Sequence, residues 1–178
     1  MKFIYDDGGR SAAGFKGSTG DCVTRAVAIA SGLPYLEVYK VMADGMGTQR
    51  DTGKFAKRGR TARRGVSVQR KWFKDYMRSV GFEWVPTMMI GQGCTTHLTD
   101  GELPTGRLVV NVSKLCTCVI DGVVRDTWDP QREIAEFRQF LGWQMAPLAK
   151  GEQRNQNGIF TIRRRCVYGY WIYKGGEK

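Results

Sequence analysis

The sequence predicts an α+β domain, with helices from its N-terminal part packed on an antiparallel sheet from its C-terminal part. Three observations carry that expectation. Apolar residues recur at helical spacing before Gly81, Val- and Ile-rich runs replace them after it, and an Asp-Gly pair marks a tight hairpin between two of those runs. With 178 residues, 42% of them hydrophobic and 11% aromatic, the chain is long enough to bury a core, and residues 1–178 are read as one domain.

The elements follow in order. Residues 5–20 (YDDGGRSAAGFKGSTG) are rich in glycine and small residues and read as an irregular loop. In GDCVTRAVAIASG, Asp21 is placed to cap a helix running from Cys22 to Ser31, and Gly32 to close it in the left-handed conformation. That helix is apolar at 23 and 26–30 and should be largely buried. Pro34 suits the start of a second helix over 34–43, with Leu36, Val38, Tyr39 and Met42 as packing residues. Residues 44–65 hold five glycines without apolar periodicity and read as an inserted, flexible basic loop. From Val66 to Val80 a helical stripe returns, through Val68, Trp72, Phe73, Tyr76 and Met77, and Gly81 ends it.

Strands are expected at Phe82–Thr87, Arg107–Val112, Lys114–Ile120 and Val123–Trp128, the last two joined by the two-residue turn Asp121-Gly122. A short amphipathic helix is expected over 131–141. The apolar runs Ile159–Ile162 and Cys166–Tyr173 are expected to close the sheet.

Charge is concentrated. The chain carries 28 basic and 17 acidic residues, a formal +11. Residues 50–74 hold ten of the basic residues and a single acid, Asp51, so the rest of the chain is close to neutral. This segment predicts contact with a polyanion through Lys54, Lys57, Arg58, Arg60, Arg63 and Arg64, nucleic acid among the candidates. Aromatic residues inside it are few, so base stacking is poorly supported. The plain alternative is a solvated loop that keeps the protein soluble. No run approaches the roughly 18 apolar residues of a spanning helix. The opening MKFIYDDGGR lacks the apolar core of a secretory signal, so export is not expected. Five cysteines, an odd number, then read as reduced thiols rather than a disulfide framework.

Cys22 is the first candidate for chemistry. It opens a buried helix, where unpaired amides and the helix dipole favour a thiolate, and the loop before it offers the Gly20 and Asp21 amides as oxyanion donors. A thiolate nucleophile with an adjacent amide is what a cysteine hydrolase requires. The bland alternative is a small core residue, since free cysteines are commonly buried.

GDCVTRAVAIASG, GRLVVNVSK at 106–114, VIDGVVRDTWDP at 119–130 and RCVYGYW at 165–171 together resemble a group of small phage and bacterial proteins that look like papain-like cysteine peptidases. The resemblance covers the start through residue 43, then 66–130 and 165–171, and by it residues 131–160 are expected to be a variable insertion. It implies a papain-like fold in which the cysteine opens the helix, a histidine begins the strand before the Asp-Gly turn, and the aspartate of the following Asp-Thr orients it. Here those positions hold Cys22, Leu115 and Asp126. With Asp121-Gly122 as the turn, Thr117 opposes Asp126 and Leu115 opposes Trp128, so a histidine at 115 would lie diagonally across from the carboxylate. Leucine cannot relay a proton, and the base is missing from its expected place.

The single histidine, His97 in GCTTHLTDGELP, could replace it only if its loop folds over Cys22. Cys94, His97, Cys116, Cys118 and Cys166 are zinc-ligand types at weak spacing, and neither metal nor cofactor is expected. Asp126 and Asp129, three apart on a strand, face opposite ways, so Asp129-Pro130 reads as a turn. Trp128 reads as core or cleft wall on the Leu115 side. The expected function is a noncatalytic or weakly active protein on a cysteine hydrolase scaffold that binds a protein partner, as a virion component or host-defence inhibitor. It would act in the host cytoplasm or a virion, without membrane contact. The alternatives are an active thiol peptidase or amidase using Cys22, and a nucleic-acid binder using residues 50–74.

Overall fold

The computed structural model describes residues 1–17, 19–48, 61–63, 65–131, 134–139, 152–155 and 158–175. Its centre is helix α1 (Cys22–Ser31), whose residues Val23 to Ala30 are all buried. Gly32 closes α1 at φ 77°, its amide donating to the Ala28 carbonyl. Helix α2 (Tyr35–Gly47) buries Tyr35, Val38, Met42 and Met46, one stripe at helical spacing. It extends past residue 43, so the expected loop begins later than its sequence suggests. Helix α3 (Lys71–Ser79) turns Phe73 and Met77 inward. Residues 66–70, expected as its first turns, are not helical.

These helices cover one face of a six-stranded sheet. Its strands are β1 (Lys2–Tyr5), β2 (Phe82–Pro86), β3 (Arg107–Val112), β4 (Leu115–Ile120), β5 (Val123–Asp126) and, after the insertion, β9 (Val167–Tyr173). The order across the sheet is β1-β5-β4-β3-β9-β2. The α+β class therefore holds, but the sheet is mixed rather than antiparallel. β1, which the sequence reading missed, runs parallel to β5, with Tyr5 opposite Asp126. Four residues are too few for periodicity to mark a strand, and only the open edge of β5 gives them a partner.

The hairpin of β4 and β5 has the expected register, Ile120 opposite Val123 and Cys118 opposite Arg125. Asp121 (φ 48°) and Gly122 (φ 77°) both adopt positive φ, as a type I′ turn requires. Alternation then sorts the core. Val109, Cys116 and Cys118 pack under the helices with Val27, Val38, Phe73 and Trp171. Leu108, Val110, Val112, Val119 and Val124 form a second cluster on the other face, beneath Leu98 and Leu103.

The region after β5 departs from expectation. Residues 134–139 form strand β6 (Ile134–Gln139), not a helix. It pairs with β8 (Gly158–Arg163), which also pairs with β7 (Glu152–Asn155), giving a separate three-stranded sheet. Residues 159–162 thus close this smaller sheet, and only β9 joins the large one. A six-residue apolar–polar run is compatible with either period, and the ladder with β8 decides it.

Cysteines 94 and 166, 72 positions apart, are joined in a disulfide, against the expectation of reduced thiols throughout. The amide of Leu98 donates to Arg165 and that of Val167 to Thr96, at 2.8 and 2.9 Å, laying residues 94–98 beside the start of β9. That pairing places the two side chains next to each other, which cysteine spacing alone could not reveal. Closing a loop of this length is worth about 2–4 kcal/mol.

Gly169 in β9 lies beneath Trp84 of β2. A Cβ there would meet the Trp84 ring at 2.4 Å and the Val85 carbonyl oxygen at 2.9 Å. Gly169→Ala is expected to cost about 1–3 kcal/mol by overpacking. Urea midpoints would measure this, and one equal to wild type would mean that Trp84 swings aside freely.

Candidate functional site

Cys22, half-buried at the first position of α1, lines a cleft of about 410 Å³. Val66, Val68, Trp84, Leu115 and Tyr168 give it apolar walls, the buried Asn111 and Cys116 also line it, and the exposed Lys114 stands in the β3–β4 turn. Leu115, the first residue of β4, also lines this cleft. Among the described residues, no histidine and no acid lines this cleft.

The electrostatics of Cys22 differ from the expectation of a stabilised thiolate. Burial raises its pKa above the ordinary 9.0. The Cys116 backbone N–H, hydrogen-bonded to the sulfur, and the nearby Arg25 charge oppose that rise, while Asp126 adds to it. Burial outweighs these opposing contacts, and the thiol is held protonated at neutral pH. The Cys116 thiol donates in turn to the Asn111 side-chain oxygen at 2.8 Å, and its own pKa is driven well up by burial.

Of the two residues before Cys22 expected as oxyanion donors, Gly20 has its amide already engaged, and Asp21 is placed by its side chain. The Gly20 amide donates to the Arg63 carbonyl at 2.9 Å. Asp21 occupies the N-cap position, but its carboxylate caps nothing. It is fully buried and accepts from Arg10 Nε (2.7 Å), Tyr35 Oη (2.6 Å) and Arg25 Nη1. Two guanidinium charges outcompete a backbone amide for a buried carboxylate. Arg25 also reaches Asp126 Oδ1 at 3.2 Å, so two arginines and two aspartates form a balanced buried network. Arg25 was the residue missed. Its signal was present, as the lone charge in an apolar helix four positions after an aspartate.

Asp126, at the end of β5, accepts from the Thr127 amide at 2.7 Å through the same Oδ1. Its Oδ2 is buried without a partner, and so is the hydroxyl of Thr117. One step beyond the Cys118–Arg125 pair, strand register puts Thr117 opposite Asp126, on the face shared with position 115.

His97 is not among the residues lining the Cys22 cleft. It bridges Cys166 beside β9, and its amide and Nδ1 both contact Glu102, at 2.7 and 3.0 Å. Burial tends to raise the Glu102 pKa, but the His97 hydrogen bonds prevail and hold it low. With Cys94 and Cys166 joined, the zinc reading loses two ligands, and no metal-holding cluster occurs among the described residues.

Trp128 is not core but 47% exposed, under the Arg165 guanidinium at 5.7 Å, because β5 ends at Asp126 before reaching it. Asp129 makes the expected turn, accepting from the Gln131 amide at 2.9 Å. Of the basic candidates, Lys54, Lys57, Arg58, Arg60 and Arg64 lie outside the described residues, and Arg63 is exposed. No helix of the described residues is long and apolar enough to cross a membrane.

The free thiols Cys22, Cys116 and Cys118 all have raised pKa values, chiefly through burial. Their unfolded forms ionise near 9.0, so the folded state retains protons that the unfolded chain has released. Their contribution to stability is complete below that pH and is lost as pH rises through the folded values. Urea midpoints should fall between about pH 8 and 10. The fall should be shallower in Cys118→Ala, and equal slopes would contradict the assignment.

Comparison with known proteins finds no family model, curated protein or solved structure that matches this chain.

Proposed function

We propose that this chain is a papain-like cysteine hydrolase scaffold without its catalytic base, and that it acts by holding a protein partner in the Cys22 cleft. The observation that carries this reading is position 115, which lines the Cys22 cleft at the start of β4 and holds leucine, a residue that cannot serve as a general base. The unpartnered Oδ2 of Asp126 supports it, being a carboxylate oxygen left without the imidazole it would orient. The raised Cys22 pKa fits a thiol no longer used as a nucleophile. The Cys22-bearing helix packed on β4 fits the ancestry that the sequence resemblance implies.

Alkylation of the folded protein with iodoacetamide across pH, each cysteine followed by mass spectrometry, tests this. Cys22 should react slowly at pH 7, and its rate should still be rising with pH beyond the ordinary value of 9.0 rather than levelling off below it. An apparent pKa below about 8.5 would overturn the reading in favour of an active thiol hydrolase. So would peptide hydrolysis abolished by Cys22→Ala.

A further inference from the structure

We propose that the Cys22 cleft takes an acidic polypeptide segment. One apolar side chain would seat against Trp84, Leu115 and Tyr168, with acidic flanks meeting Arg63, Arg70 and Lys114. This rests on the binding reading above and adds the chemistry of the partner.

Charge complementarity is the argument. The cleft walls are apolar, and among the described residues Lys114 is the one charged residue lining them. A two-way bridge then fixes the end of the cationic run beside the site. The Gly20 amide donates to the Arg63 carbonyl and the Gly65 amide to the Gly20 carbonyl, both at 2.9 Å, while the Thr19 hydroxyl adds a bond to the Arg63 carbonyl at 2.8 Å. Gly65, two residues after Arg63, itself lines the cleft.

The Arg63 guanidinium is exposed, and among the described residues its one acceptor is the Lys16 carbonyl, at 3.5 Å. Arg70 follows the cleft residue Gln69 and is exposed. Neither Arg70 nor Lys114 has a carboxylate partner among the described residues. The nearby acids do not cancel this field. Asp75 is committed to Lys71 and Arg78 at 2.6 and 3.3 Å, and Glu83 alternates to the face of β2 opposite Trp84.

A polypeptide is favoured over nucleic acid because single-stranded bases need open aromatic faces. The Trp84 ring packs on Trp171 at 5.2 Å and covers Gly169, which leaves Tyr168, 41% exposed, as the one open ring of the cleft among the described residues.

The test is selection of a displayed random 12-residue peptide library on the full chain, counterselected on Leu115→Trp, which fills the cleft. Because Leu115→Trp risks misfolding, an Arg63→Glu/Lys114→Glu variant, changed only at exposed side chains, serves as the second discriminator. Cleft-dependent peptides should centre an apolar residue among Asp and Glu. A synthetic peptide of the selected sequence should lose about tenfold or more affinity on the charge-reversed variant, and should weaken as salt rises. Cleft-dependent peptides without acidic excess, or no cleft-dependent peptides, would overturn the proposal. So would a 12-nucleotide oligothymidylate that binds more tightly than the peptides and is lost in the same variants. Cleavage of the bound peptide would instead sink the noncatalytic reading and leave the acidic preference standing.

Discussion

Leu115→Ηis is expected to convert Cys22 into a reactive thiol, raising its alkylation rate at pH 7 by about tenfold or more. In the wild-type protein burial keeps the sulfur protonated, and the Cys116 amide and Arg25 charge do not overcome it. Position 115 lines the same cleft as Cys22, and register puts its side chain on the sheet face of Thr117, so an imidazole there would meet the thiol around the first residue of β4. It would supply the proton acceptor that the cleft lacks, and the unpartnered Asp126 Oδ2 is available to receive its ring N–H. Leu115→Gln serves as the control, because it adds polarity without a base and should leave the rate near wild type. Equal rates for the histidine and glutamine variants would show that strand register does not place position 115 where the thiol can use it.

Asp21→Ala is expected to destabilise the fold by about 3–5 kcal/mol. The substitution deletes a carboxylate with no solvent exposure and strands Arg10 and Arg25, whose side chains are only 11% and 7% exposed. Asp126 would then be the sole remaining acid of the network. Against a typical total of about 5–15 kcal/mol, such a loss removes a large share of stability. Tyr35→Phe removes one hydrogen bond to Asp21 and leaves both ion pairs, so it should cost only about 1 kcal/mol. Equilibrium urea unfolding of the two variants gives the comparison. A loss below about 1 kcal/mol for Asp21→Ala would mean that the arginines find water or other acceptors and that the network does not hold the N-terminal loop to α1.

What was legible beforehand is uneven. The bounds of α1 and β3 agree with their sequence expectation, because helix-closing glycine and β-branched periodicity act within a few residues. The β4–β5 register was legible for the same reason, since an Asp-Gly turn fixes which residues oppose each other. The register places position 115, which the family resemblance singles out, diagonally across from Asp126. The shared cleft is consistent with it.

The sequence by itself determined the α+β class, the burial of α1, the hairpin and the concentration of positive charge in residues 50–74. Only the tertiary structure decided that Lys2–Tyr5 is a strand, that residues 134–139 extend rather than coil, and that cysteines 94 and 166 meet. It alone turned Asp21 from a helix cap into the centre of a buried ion network, and it raised the Cys22 pKa where position had suggested a thiolate. The reason is range. Turn and helix signals are set by neighbours in the chain, whereas strand partners, counter-charges and the loss of water around a sulfur are set by residues that only folding brings near.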